Sequence, residues 1–342
     1  GITSLSTSTS GTSNFIAGVN AGNSITSGGN YNVVVGDEAG TAITTGDENT
    51  FVGYATGDAV TTASANTGVG YNALSQNTSG TQNSAFGNRA GDAITTGDGN
   101  TAIGYFSLSS TTTADNNTAV GVDSLGINST GADNTGIGKD ALRANTTASN
   151  NTAVGSSALV ANTTGSSNVA VGSAAGDAIT TGNTNVAIGT NAMTTNTVGD
   201  RNVAVGHAAL ALYIPSSNED SYNVAVGYNA LYTDTTGKNN TAVGGNALLL
   251  NTTGNSNAAF GTGALDANTT GGSNASVGKS SLSANTTGSA NAALGADALA
   301  SNTTASNNTA VGTNSLNANT TGSENVAVGR NALDANTTAA NN

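Results

Sequence analysis

The chain contains no cysteine, no tryptophan, one proline and one histidine among its 342 residues. Without cysteine, neither a disulfide framework nor a thiolate metal site can form, although the redox compartment cannot be inferred from this absence. His207 cannot build a histidine cluster within one chain, and we expect it to be an exposed side chain. We therefore predict no metal site and no cofactor.

Charge is also scarce. Lys and Arg number 7 against 20 Asp and Glu, a net charge of -13. Nucleic-acid binding needs clustered basic residues to neutralise phosphates, so this partner is disfavoured. No apolar run approaches the roughly 18 residues of a membrane span, which predicts no membrane insertion in this segment.

Acidic pairs are the nearest approach to catalytic chemistry. They lie in predicted turns, and acid–base catalysis would need two converging carboxylates with supporting cations. The pairs are Asp37/Glu38, Asp47/Glu48 and Glu219/Asp220. We predict no catalytic residue and no enzyme activity.

What the sequence has is a repeat. A glycine recurs every 17 residues from Gly36 to Gly206 and, after one step that is four residues longer, from Gly227 to Gly329. Asn stands four residues before this repeat glycine, a small residue two before it and an apolar residue one before it. Leu usually stands four residues after it, and Asn-Thr-Thr-Gly follows. Fixed self-similarity at a short period is typical of a stacked repeat array.

Helix does not explain this unit, because each of its two glycines would cost about 1 kcal/mol in a helix. The pattern instead predicts a short strand, a glycine corner, a second short segment and a polar turn. We predict an all-β fold, a parallel β-solenoid (β-roll) of about twenty 17-residue coils, with one continuous array over residues 1–342 and an inserted loop at 211–222. Coils stacked at about 4.8 Å would make a rod on the order of 95 Å long.

Stacking predicts a role for each repeated position. Asn would form inward hydrogen-bonded ladders, Val and Leu would fill a thin interior, glycine would form the corners, and the Ala row of the strand would face outward. The predicted structural ladder consists of Asn151, Val154, Gly155, Leu159, Asn162 and Gly165 with their equivalents.

Two kinds of coil share one interior slot. In five coils Gly replaces the Leu, and in the same five an aliphatic residue replaces the Asn three positions later. Close packing explains this coupling, because the large group moves along the chain while the core volume is kept. The pairs are Gly22/Ile25, Gly40/Ile43, Gly57/Val60, Gly91/Ile94 and Gly176/Ile179.

The ends and the interruptions carry further expectations. Gly1 to Leu5 matches the second half of a coil, and an extra residue near 27–30 would be absorbed by a turn. Neither end shows a cap, which is typical of a piece of a longer protein or of coils that continue from chain to chain.

The surface offers three hypotheses. The Asn-Thr-Thr sequons would be inaccessible if their Asn belongs to the inward ladder. Because the two residues of each Thr-Thr pair point to opposite faces, one outward Thr row would be available for ice binding. The inserted loop is a candidate recognition element through its bulky and charged residues, namely Tyr213, Ile214, Pro215, Glu219, Asp220 and Tyr222.

The motif Asn-x-Ala-Val-Gly-x-x-Ala-Leu resembles the head repeats of YadA-like trimeric autotransporter adhesins and the repeat arrays of phage-type tail fibres. The resemblance implies a left-handed β-roll, a homotrimer, and an extracellular, cell-surface or virion location. We expect a non-catalytic structural fibre segment, shaft or head, whose polar surface meets a cell-surface or glycan receptor. The alternatives are a head-to-tail self-assembling filament and an ice-binding solenoid.

Overall fold

In a computed structural model, the chain is all-β. The structure describes Leu5–Ser6 and residues 9–342, and these residues form 20 strands and no helix. The expected half-coil at Gly1 to Leu5 lies outside the described residues except for Leu5. The strands are β1 (Leu5–Ser6), β2 (Phe15–Ala17), β3 (Val33–Val35), β4 (Thr50–Val52), β5 (Thr67–Val69), β6 (Ser84–Phe86), β7 (Thr101–Ile103), β8 (Thr118–Val120), β9 (Thr135–Ile137), β10 (Thr152–Val154), β11 (Val169–Val171), β12 (Val186–Ile188), β13 (Val203–Val205), β14 (Val224–Val226), β15 (Thr241–Val243), β16 (Ala258–Phe260), β17 (Ala275–Val277), β18 (Ala292–Leu294), β19 (Thr309–Val311) and β20 (Val326–Val328).

The chain divides into two compact units, residues 1–167 and residues 168–342. In unit 1, β2 to β10 pair in sequence order as parallel strands, with Thr135 opposite Thr152 at the β9–β10 step. In unit 2, β11 to β20 pair in the same way, with Val186 opposite Val203. Each strand thus pairs with its equivalent in the next coil, which confirms the parallel β-solenoid. The single continuous array over residues 1–342 stays a prediction.

The ladder keeps its register across both irregular steps. Phe15 lies opposite Val33, so the extra residue between the first two coils is absorbed outside the strands. Val203 lies opposite Val224 although the inserted loop separates them. The pairing of equivalent positions therefore determines where added residues go.

Strand β1 differs from all the others. It pairs antiparallel with β2, with Leu5 opposite Ala17 and Ser6 opposite Ile16. Since β3 occupies the other edge of β2, β1 covers the edge that an open solenoid would leave unpaired. The expectations that Leu5 belongs to a parallel coil and that this end lacks a cap are both wrong.

The strands face the opposite way from the prediction. Ala153 is fully buried, whereas Val154 lies partly exposed on the other face of β10. The same buried central residue recurs in every strand from β2 to β20. Asn151 is also buried, and side chains two residues apart in a strand share a face, so Ala153 had to accompany Asn151 inward. The predicted inward Val row and outward Ala row are therefore exchanged.

Leu fills the rest of the interior from an unusual backbone conformation. Leu159 is fully buried and has a φ of 50°, and its equivalents share this left-handed geometry. Such a conformation costs a side-chain-bearing residue about 1–2 kcal/mol. Full burial of a Leu side chain contributes about 1.5–3 kcal/mol, which is sufficient to offset that cost.

The exchange between Leu and Gly coils is confirmed by the packing. A Cβ added at Gly40 would lie 2.7 Å from Cδ1 of Ile43, so the aliphatic residue occupies the space that Leu takes in the other coils. Phe51 occupies the corresponding space beside Gly57, because a Cβ at Gly57 would lie 2.5 Å from the Phe51 ring. Glycine there removes the left-handed cost and lets another position supply the core volume.

Candidate functional site

Each unit contains two buried Asn ladders: a strand ladder that runs from coil to coil, and a turn ladder confined to successive coils that carry Asn in the turn. In the strand ladder, the backbone N–H of Asn151 donates to Oδ1 of Asn134 at 2.9 Å. In the turn ladder, Nδ2 of Asn162 donates to Oδ1 of Asn145 at 2.9 Å. The carbonyl oxygen of Gly165 accepts from both Asn151 and Asn162, each at 2.9 Å. The predicted ladder residues Asn151, Asn162 and Gly165 therefore form one hydrogen-bonded cross-brace, which can recur only in coils that carry Asn in the turn position.

The sequon asparagines belong to the turn ladder. Asn336 is partly exposed, and all the other members are fully buried: Asn145, Asn162, Asn251, Asn268, Asn285, Asn302 and Asn319. In the folded chain these amides point into the interior, as expected from their replacement by Ile or Val in other coils.

The repeat glycine is required because the backbones of neighbouring coils approach each other closely at this position. Gly155 has a φ of 138°, in the region that side-chain-bearing residues avoid. At the equivalent Gly244, a Cβ would lie 2.6 Å from the carbonyl carbon and oxygen of Gly261 in the next coil. The adjacent Gly245 is different, because a Cβ there would meet nothing within 4 Å. The 17-residue glycine therefore marks a contact between neighbouring corners.

The strands present a two-row surface to solvent, which we call the outer sheet face. One row holds the third residue of each strand and is apolar throughout from β3 onward, with Ile103 and Ile137 about 40% and 39% exposed. Monomeric proteins rarely expose contiguous apolar patches of this extent unless the patch binds something. The members of the row are Val35, Val52, Val69, Phe86, Ile103, Val120, Ile137 and Val154 in unit 1, and Val171, Ile188, Val205, Val226, Val243, Phe260, Val277, Leu294, Val311 and Val328 in unit 2.

The other row of the outer sheet face holds the first residue of each strand. In unit 1 this row is mostly hydroxylated, with Ser84 interrupting a series of threonines. Their side-chain hydroxyls make no hydrogen bond within the described part of the chain. The threonines are Thr50, Thr67, Thr101, Thr118, Thr135 and Thr152.

The inserted loop does not present all of its candidate residues to solvent. Tyr213 and Pro215 are buried, and both would contact a Cβ placed on Gly199 at 2.9 Å. Tyr213 lies seven residues after the repeat glycine Gly206, so it occupies the turn-ladder slot. The prediction that Tyr213 and Pro215 belong to a recognition surface is wrong, while Ile214 and Tyr222 remain exposed.

The loop's charges are paired with neighbouring coils. Nζ of Lys238 lies 2.8 Å from Oε2 of Glu219. Arg201 forms an ion pair with Asp220, and the Tyr222 hydroxyl donates to the same carboxylate at 2.9 Å. Glu219 and Asp220 thus form ion pairs with different basic side chains, and these contacts fasten the loop to the coils on either side.

One carboxylate lies inside the solenoid. Asp234 is fully buried in the turn-ladder slot, where its Oδ1 accepts from the N–H of Gly237 at 3.0 Å and from Nδ2 of Asn251 at 3.1 Å. Its Oδ2 and the hydroxyl of Tyr213 are buried without a hydrogen-bond partner. Burial raises the pKa of Asp234 to about 7 and that of Tyr213 to about 12. Sequence reasoning missed this site, although Asp-Thr-Thr-Gly in place of Asn-Thr-Thr-Gly marks it.

Among the described residues, no group of three His, Asp or Glu side chains is placed to hold a metal ion. The same residues include no helix long and apolar enough to span a membrane.

The fold and its ladders define the class: this is a β-solenoid repeat protein. Comparison with protein-family models, with curated proteins and with solved structures gave no match.

Proposed function

We propose that the chain is a non-catalytic structural segment, shaft or head, of an extracellular, cell-surface or virion fibre. The observation that carries this proposal is the outer sheet face, together with the hydrogen-bonded Asn ladders behind it. A backbone braced in every coil suits a mechanical role, and a long row of exposed Val and Ile suits lateral packing against other chains.

The apolar row buries enough surface to stabilise lateral association only when many coils contribute. An Ile that is 40% exposed, such as Ile103, would contribute about 0.8 kcal/mol on being covered, given about 2 kcal/mol for full burial. The ten members of the row in unit 2 then supply at most roughly 8 kcal/mol, which is comparable with the roughly 4–15 kcal/mol that association costs. Lateral association is therefore expected to need the whole face. The number of chains in our proposal, three, is the one implied by the resemblance to trimeric fibre proteins.

Native mass measurement tests this proposal. We expect three chains for the unaltered protein and one chain for the double variant Ile103→Lys/Ile137→Lys, which places charges on the outer sheet face. Val122→Lys is the matched control, because Val122 is equally exposed at 40% but lies after the repeat glycine, off that face. A single-chain mass for the unaltered protein, or trimers that survive the double variant, would count against the proposal.

Ice binding is the second candidate, supported by the Thr row of unit 1. Threonines on successive parallel strands stand about 4.8 Å apart in a flat array, with hydroxyls that have no partner in the described chain. Thermal hysteresis in the purified protein, lost in Thr118→Lys/Thr135→Lys, would favour this function over the fibre. Freezing without hysteresis would rule it out.

A further inference from the structure

A groove interrupts the surface of unit 2 on the coil that begins at Gly206. Two residues after the repeat glycine, the coils on either side carry Asn191 and Asn229, whereas this coil carries Ala208. Five residues after it, the series reads Thr194, Ala211 and Tyr232. Both small side chains therefore fall on one coil between larger neighbours. They form the floor of an open groove of about 520 Å³, which we call the Ala208 groove.

Aromatic rings form one wall of this groove. The His207 and Tyr228 rings stack with centroids 5.4 Å apart and planes inclined by 16°. Tyr228 is 59% exposed, and the equivalent position of the following coil is Gly245, where a Cβ would meet nothing within 4 Å. No side chain at that position covers the ring face that points away from His207, and this face lies over Gly245, at the end of the groove and not over its alanine floor. Tyr232 and Leu212 also line the groove.

Polar groups line the rest of the groove. The side-chain amides of Asn191 and Asn229 make no hydrogen bond within the described part of the chain, so their donors and acceptors are available. Asp177 contributes a carboxylate whose Oδ1 is buried without a partner, and burial raises the pKa of this group. Thr194 donates to the carbonyl oxygen of Ala211 at 3.1 Å and so fixes the floor against its neighbour.

We propose that the Ala208 groove binds a neutral oligosaccharide that continues from the groove onto the uncovered face of Tyr228. A pyranose ring has apolar C–H faces, which lose water on stacking against flat rings such as Tyr228, and a rim of hydroxyls that both donate and accept. Paired amides and one carboxylate in a concave site meet such a rim with both kinds of partner. The net charge of -13 disfavours sialylated or sulfated sugars. This site goes beyond the proposed function, because all of its residues belong to unit 2 and none lies on the outer sheet face.

Saturation-transfer NMR and calorimetry with cellohexaose, laminarihexaose, mannohexaose and chitohexaose test the proposal on the full chain. At least one of these should bind with a Kd below about 10 mM, with saturation strongest on the ring C–H protons that stack. If none of the four binds at that level, the proposal is overturned, whereas the chain count that tests the fibre proposal is unaffected.

Variants locate the binding. Ala208→Asn/Ala211→Thr gives this coil the side chains that Asn191 and Thr194 carry in the coil before, and should weaken binding at least about tenfold by filling the groove. Ala55→Asn makes the first of these two changes at the equivalent position of unit 1 and should leave affinity unchanged. Tyr228→Ala removes an exposed ring and tests the same site should the filled variant not fold. Undiminished affinity in the filled variant or in Tyr228→Ala overturns the assignment.

Discussion

Asp234 makes the stability of unit 2 depend on pH. Its carboxyl has a pKa of about 7 in the folded chain against 3.8 for the unperturbed group. Between these two values the folded chain holds a proton that the unfolded chain has released, so the free energy of unfolding falls as pH rises through this window. A difference of about three pKa units corresponds to about 4 kcal/mol, fully lost above about pH 7 and fully recovered below about pH 4.

Asp234→Asn should remove this dependence. Asn162 shows that an amide in this slot donates to the carbonyl of the turn glycine at 2.9 Å, and the amide carries no charge to desolvate. We expect the variant to exceed the wild type in stability by up to about 4 kcal/mol at about pH 8, and to match it at about pH 4, where Asp234 is neutral. Urea unfolding followed by circular dichroism across this range measures the difference.

Two controls sharpen the comparison. Asp334→Asn removes an exposed carboxylate and so corrects for the change in net charge. The reverse change, Asn251→Asp in the next coil, should introduce a pH-dependent loss of stability. Four other carboxyls with raised pKa, Asp58, Asp92, Asp177 and Asp266, give a background slope that both proteins share. A stability difference that is equal at the two pH extremes, or a variant less stable at high pH, would refute the reasoning.

Two further predictions concern the corners and the core. Gly244→Ala should destabilise by more than about 2 kcal/mol, because its Cβ meets backbone at a positive φ, whereas Gly245→Ala next to it should be neutral or stabilise by up to about 1 kcal/mol; equal urea midpoints for the two would contradict this. Leu74→Gly and Asn77→Ile should each destabilise by about 2–4 kcal/mol, but the double variant should regain most of the loss by reproducing the Gly-and-aliphatic coil. Additive losses in this cycle would show that the two positions do not share a slot.

Leu74 and Asn77 suit this test because of their neighbours. The coils before and after carry Gly57 with Val60 and Gly91 with Ile94, so no Asn ladder passes through Asn77. The bonds at risk are local, since Asn77 exchanges hydrogen bonds with Gly80 at 2.8 and 3.0 Å.

The period alone predicted the fold, because only stacked coils require the same residue every 17 positions. It also predicted the buried Asn ladders and the coupling of Leu with Asn. Which face of the strand points inward was predicted wrongly, although the spacing of Asn and Val in the repeat indicates the correct face. Because side chains alternate along a strand, Asn151 and Ala153 share one face and Val154 lies on the other. An inward Asn row and an inward Val row are therefore incompatible.

Other features depend on geometry that a period does not specify. Nothing in the sequence places Leu159 in the left-handed region, since residues with that side chain normally avoid it. Counting seven residues from Gly206 places Tyr213 in the turn-ladder slot. The four-residue insertion made the whole of 211–222 look like a loop, so Tyr213 was assigned to the loop. The Ala208 groove arises from two alanines that look unremarkable until their neighbours in the stack are known.

The pairing of each residue with its equivalent in the next coil has an evolutionary consequence. Loss or duplication of 17 residues between equivalent points, as in unequal recombination, joins surfaces that already match, and every side chain keeps its partners. A change of any other length has to be absorbed outside the strands, as the inserted loop is, or it displaces an inward amide such as Asn151. Within either unit, the gene can therefore change the number of coils without inventing a new contact, and selection can adjust reach independently of sequence.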